Sequence, residues 1–140
     1  MSALMGFRNR LTEAVERRGV TMTTWSSGGS SSRNLIQLST TPKRTVLYVK
    51  EFNITGRPGF WGLTRNQVTR LEKADVRWFA ALLLRSSTAG YLLTSAEVRH
   101  HIADRSFELS RDGDYKVNED LDLIPAQRFQ SLQDLSDRIF

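Results

Sequence analysis

Val46-Leu47-Tyr48-Val49-Lys50 is an apolar strand pattern with a lysine set into it, and this limits what the chain can become. Such a strand belongs inside a sheet, where an ammonium group is costly unless it has a partner or a job. The strand reads from Arg44 to Phe52. A second pattern, Asn34 to Ser39, precedes it, with Thr41-Pro42-Lys43 as the hairpin turn between them. Val76 to Leu84 contains the longest apolar run and suits a buried strand.

The remaining elements follow from periodicity and end signals. Leu4, Phe7, Leu11, Ala14 and Val15 recur at helical steps, which predicts an amphipathic helix over 2–18 that Gly19 stops. Val20 to Trp25 reads as a strand, and Ser26 to Ser32 as a flexible loop. Residues 53–63 are expected to be irregular, with Thr64 capping a helix to about Lys73. Ser86 to Gly90 turns the chain, Tyr91-Leu92-Leu93 returns as a strand, and Ser95 caps a helix to about Ala103. Residues 104–128 read as loop, and Ser131 with Asp134 marks a capped last helix whose Leu132, Leu135 and Ile139 face inward. The order is helix, three strands, helix, two strands, helix, helix. It describes one mixed α/β (α+β) domain over 1–140, with a core at about 2–94 and a C-terminal extension at about 95–140.

Charge bears on partners. The chain carries a net charge of +5, with 16 Lys and Arg against 7 Asp and Glu in residues 1–105 and 4 against 8 in 106–140. A basic body with an acidic tail suits a polyanion partner through phosphate neutralisation. With no cysteine, disulfides and thiolate zinc sites are excluded. No apolar run is long enough to span a bilayer and no secretory signal is visible, so the expectation is a cytoplasmic protein without a membrane role.

The element order resembles the core of the restriction-endonuclease-like, or PD-(D/E)xK, superfamily, including its Holliday-junction-resolvase-like branch. The resemblance covers about residues 2–94. It implies an acidic residue opening the second core strand and Glu-x-Lys on the third, which together hold divalent metal and orient the attacking water. Lys50 matches the motif lysine, but Tyr48 stands in the glutamate's place and Asn34 in the aspartate's. Neither supplies the negative charge a hard cation requires. The resemblance therefore implies a degenerate nuclease fold that binds without cutting and needs no cofactor; magnesium or manganese enters only if the site is active. Glu13 and Glu16 on the first helix are the alternative acids for such an active nuclease.

Further candidates are read from the residues themselves. Gly56-Arg57-Pro58-Gly59-Phe60-Trp61-Gly62 offers a phosphate contact in Arg57 and a stacking platform in Trp61; packing of the two aromatics onto the core is the alternative. Arg65 stands at a helix N-terminus, and Gln67, Arg70 and Lys73 share a face of that helix, which a solvated face explains equally well. With Arg44, Arg77 and the first helix's Arg8, Arg10, Arg17 and Arg18 they are candidates for one basic patch. His100-His101 diverge on a helix and make a poor metal site, and Asp112-Gly113-Asp114 reads as a turn. The expected function is nucleic-acid binding through Lys50, Arg57, Arg65, Gln67, Arg70, Lys73 and Trp61. The alternative is a protein–protein interaction subunit or homodimer within a larger defence, toxin or mobile-element complex, using an apolar rim around Phe60, Trp61 and Tyr91.

Overall fold

Two strands without a polar face set the architecture. β3 (Arg44–Lys50) and β5 (Arg77–Leu83) are buried at nearly every position and pair in parallel, Thr45 beside Arg77 through Lys50 beside Leu82. Parallel neighbours need a long crossover. It contains a short strand, β4 (Phe60–Thr64), and helix α2 (Arg65–Lys73). The computed structural model describes residues 3–27, 30–40, 43–52, 60–118 and 127–140, without the side chains of 27, 30 and 31.

Antiparallel strands extend the central pair on both sides. β1 (Thr21–Ser27) and β2 (Ser30–Ser39) join at β3, and β6 (Gly90–Thr94) and β9 (Arg128–Phe129) join at β5. The sheet order is β1-β2-β3-β5-β6-β9. A second sheet places β4 beside the hairpin β7 (Glu108–Leu109) and β8 (Asp114–Asn118). Helices α1 (Ala3–Glu16), α3 (Ser95–Ala103) and α4 (Leu132–Ile139) complete the described elements. The expected mixed α/β class is what the chain adopts.

Strand alternation divides the core into two layers. Leu47, Val49, Phe79, Ala81 and Leu83 face α1 and α4, where Phe7, Leu11, Leu135 and Ile139 cover them. Val46, Tyr48, Trp78, Ala80 and Leu82 face α2, α3 and the small sheet, against Val68, Leu71, Val98, Trp61 and Val117.

Several sequence expectations are corrected. Ser26 and Ser32 are strand residues of the β1–β2 hairpin rather than loop, because backbone pairing overrides the weak strand preference of serine. Residues 60–63, expected to be irregular, and 114–118, expected to be loop, are strand residues that pair with each other in β4 and β8. Thr94, not Ser95, caps α3: its hydroxyl accepts from the Glu97 N–H at 3.1 Å, and Glu97 returns a bond to the Thr94 N–H at 2.9 Å. The cap of α4 is as expected, with Ser131 accepting from the Asp134 N–H at 3.0 Å. The turn expected at Asp112-Gly113 is the β7–β8 connection, where Gly113 adopts φ 85°.

Candidate functional site at the carboxyl end of the parallel pair

Of the three positions that resemble a nuclease motif, Lys50 and Tyr48 share a face of the sheet, while the Asn34 side chain is held by the Val49 carbonyl. Lys50 ends β3 and lies on the α2/α3 side of the sheet with Tyr48, its ammonium 6.0 Å from the centre of the Tyr48 ring. Asn34 lies where β2 departs from regular pairing with β1, and its amide donates to the Val49 carbonyl at 2.7 Å. That amide closes the strand ladder and is not turned to a shared site. Glu51 points the other way, as alternation requires, and accepts the Leu4 N–H at the start of α1. Glu13 and Glu16 lie on α1, so the sheet stands between that helix and Lys50. Among the described residues, no group of three or more His, Asp or Glu is placed to hold a metal ion.

Tyr48 has a structural task at the position where the resemblance puts a metal-binding carboxylate. It is fully buried, and its hydroxyl accepts the Thr64 N–H at 2.9 Å just before α2. Burial raises its phenol above the ordinary tyrosine range. Thr64 makes no side-chain cap bond of its own, so Tyr48 fixes the entry of α2 over the sheet. Tyr48→Phe is expected to cost about 1–3 kcal/mol by leaving that N–H without its acceptor. Urea unfolding would show a lower midpoint with an unchanged slope.

Lys50 is half-buried and makes no ion pair with a described residue. Burial holds its ammonium below the usual lysine range, which the charges of Asp114 and Glu51 partly offset. Asp114 sits opposite Thr64 in the β4–β8 ladder and was legible in the sequence only as a turn residue.

The expected basic patch is divided. Arg44 and Arg77 begin β3 and β5, whereas Lys50 ends β3, so they occupy opposite ends of the sheet. Lys73 ends α2 shortly before β5, near Arg77. Arg77 donates to the Ile139 carbonyl at 2.8 Å and lies over the Phe79 ring. Gln67 accepts from Arg70 at 2.8 Å, and Arg70 lies over the Trp25 ring, so these two have structural contacts on α2. Arg65 keeps an exposed side chain at the start of α2, while its N–H donates to the Gly113 carbonyl at 2.9 Å. Arg8 on α1 donates to the Arg33 carbonyl and to Thr24, and Arg18, in the turn after α1, pairs with Asp137 of α4. Arg57 lies outside the described residues.

Of the two readings of Trp61, packing onto the core holds and the stacking platform does not. Trp61 is 2% exposed, and its indole N–H donates to the Leu83 carbonyl at 2.7 Å, so its faces are not open for stacking. Phe52 packs against it at 4.9 Å between ring centres and Tyr91 meets it edge-on at 6.2 Å. Phe60 is partly buried, with the Lys116 ammonium 4.9 Å from its ring centre.

Sequence reasoning missed what these contacts build. Phe52, Trp61, Leu84, Arg85 and Tyr91 line a cleft of about 340 Å³. The register places Lys50 beside Leu82 and Leu82 beside Tyr91, so Lys50 and the cleft share one end and one face of the sheet. The Arg85 guanidinium lies 5.3 Å from the centre of the Phe52 ring. The available signal was period-two alternation, which puts Tyr48, Lys50 and Phe52 on one face. The chain matches no known family model, and no curated protein matches it in sequence. Among the described residues, no helix is long and apolar enough to cross a membrane.

Proposed function

We propose that this chain is a nucleic-acid-binding domain on a restriction-endonuclease-like core whose metal site is degenerate. The supporting topology is α1, three antiparallel strands, a crossover through α2 onto a parallel strand, and an antiparallel return. The observation that carries the reading is Lys50: a half-buried ammonium without an ion pair among the described residues, at the carboxyl end of a parallel pair. That end of an α/β sheet is a recurrent ligand position. A phosphate would give this ammonium an ion-pair partner and raise its proton affinity. Tyr48 and Asn34, both committed to backbone contacts, support binding rather than hydrolysis.

The test is a stability–binding trade-off in Lys50→Met. Without ligand, this variant should be more stable by on the order of 1 kcal/mol, because a poorly solvated charge is removed. The pH dependence has a definite sign. Lys50 loses its proton at lower pH in the fold than in the unfolded chain, so between those two values the unfolded chain holds more protons. Stability therefore rises with pH across that alkaline window in the wild type, and the methionine variant lacks this rise. Affinity for DNA or RNA, read by fluorescence anisotropy across salt concentrations, should fall about tenfold or more. Unchanged affinity in Lys50→Met, or no nucleic-acid binding by the wild type at low salt, would sink the proposal.

A further inference from the structure

A second cavity adjoins the aromatic cleft around the end of β5. It measures about 460 Å³ and lies on the α1 side, between Asn9 and Arg10 of the helix and Arg85, Ser86 and Ser87 after the strand. Gly6 permits this close approach, because a β-carbon there would stand 3.0 Å from the Ser87 Cβ. The two cavities differ in chemistry. One offers two guanidinium groups, an amide and hydroxyls with no carboxylate among its described lining residues; the other is walled by aromatic rings. Arg85 lines both, and neither it nor Arg10 has a hydrogen bond or ion pair to a described residue.

We infer that the paired cavities hold one unstacked nucleotide of a single strand, its base in the aromatic cleft and its phosphate against Arg85 and Arg10. Each cavity is large enough for a small-ligand group, by the usual range of roughly 300–1,000 Å³. Phe52 and Tyr91, only partly buried, present ring surface that a base stacks on without regard to sequence. Trp61 forms the floor, already anchored to the Leu83 carbonyl. Arg85 lies at the boundary, over Phe52 and facing the polar cavity, where a guanidinium serves both a ring and a phosphate. A paired duplex keeps its bases stacked and cannot use the cleft. This inference rests on the nucleic-acid-binding reading and assigns it a single-strand preference.

The experiment compares short single-stranded DNA, single-stranded RNA, blunt duplexes of the same length and a single strand with one abasic position, by anisotropy at several salt concentrations. The wild type should favour the single strands about tenfold or more over the duplex. Tyr91→Leu, which keeps an apolar side chain in β6, should abolish that preference while leaving the salt slope unchanged; Tyr91→Phe should retain it. Arg85→Ala should reduce the salt slope for single strands by about one contact. Circular dichroism melting establishes that each variant is folded. Equal affinity for strand and duplex, a preference that survives Tyr91→Leu, or full affinity for the abasic strand would overturn the inference and leave general nucleic-acid binding standing. No binding to any probe at low salt would remove the underlying reading and this one together. DNA and RNA arms that differ identify which polymer is the ligand.

Discussion

Gly90→Ala is expected to leave little or no folded protein under native conditions. Gly90 pairs with both Leu83 and Phe129, in the middle of a three-strand crossing. A β-carbon there would overlap the Leu82 carbonyl oxygen and come within 2.9 Å of its carbonyl carbon and 3.0 Å of the Leu83 Cα. These are backbone atoms of a buried central strand, so no side-chain rotation relieves the clash. Overpacking commonly costs about 1–3 kcal/mol when side chains can yield, and a backbone obstruction should exceed it. For a domain with about 5–15 kcal/mol of total stability, that loss is most of the margin. Thermal melting and soluble yield give the answer, and a melting temperature close to wild type would refute the packing argument.

The second large effect is expected at Trp61. Trp61→Ala removes a buried indole, costing about 3–5 kcal/mol, and also takes a donor from the Leu83 carbonyl. Phe52 and Tyr91 lose the ring they pack against, so the cleft should collapse. Trp61→Phe keeps most of the apolar surface but not the N–H bond, and should fall between the two. Urea unfolding separates these contributions, because the midpoint reports stability while the slope reports the surface exposed. Equal midpoints for the wild type and Trp61→Phe would mean the indole bond adds nothing measurable.

Both predictions converge on Leu82 and Leu83, and the reason bears on what the sequence could disclose. Val46–Lys50 and Trp78–Leu84 were legible as strands because burial on both faces leaves an uninterrupted apolar run. The α4 cap was legible because Ser131 and Asp134 form a local signal. β4 and β8 were not, since Phe60-Trp61-Gly62 and Tyr115-Lys116-Val117 acquire strand character only from pairing with each other. The site was less legible still. Lys50 announced itself as a cation in an apolar strand, but Phe52, Trp61, Arg85 and Tyr91 are distant along the chain and meet only through sheet register. The charge pattern misled for a related reason. Arginines close in sequence, such as Arg70 and Arg77, are taken up by Trp25, Phe79 and the Ile139 carbonyl.

The placement of α1 and α4 on one face has a consequence for synthesis. The first described helix cannot finish its layer until residues 132–139 have left the ribosome, because Leu135 and Ile139 cover the same surface that Phe7 and Leu11 begin to cover. Until then a nascent chain carries Ile36, Leu38, Leu47 and Val49 beneath an incomplete roof. Apolar surface open during translation invites association with other chains and capture by chaperones. Stalling this chain before α4 should therefore yield a species that binds hydrophobic dyes and aggregates, even with every strand of the parallel pair already made.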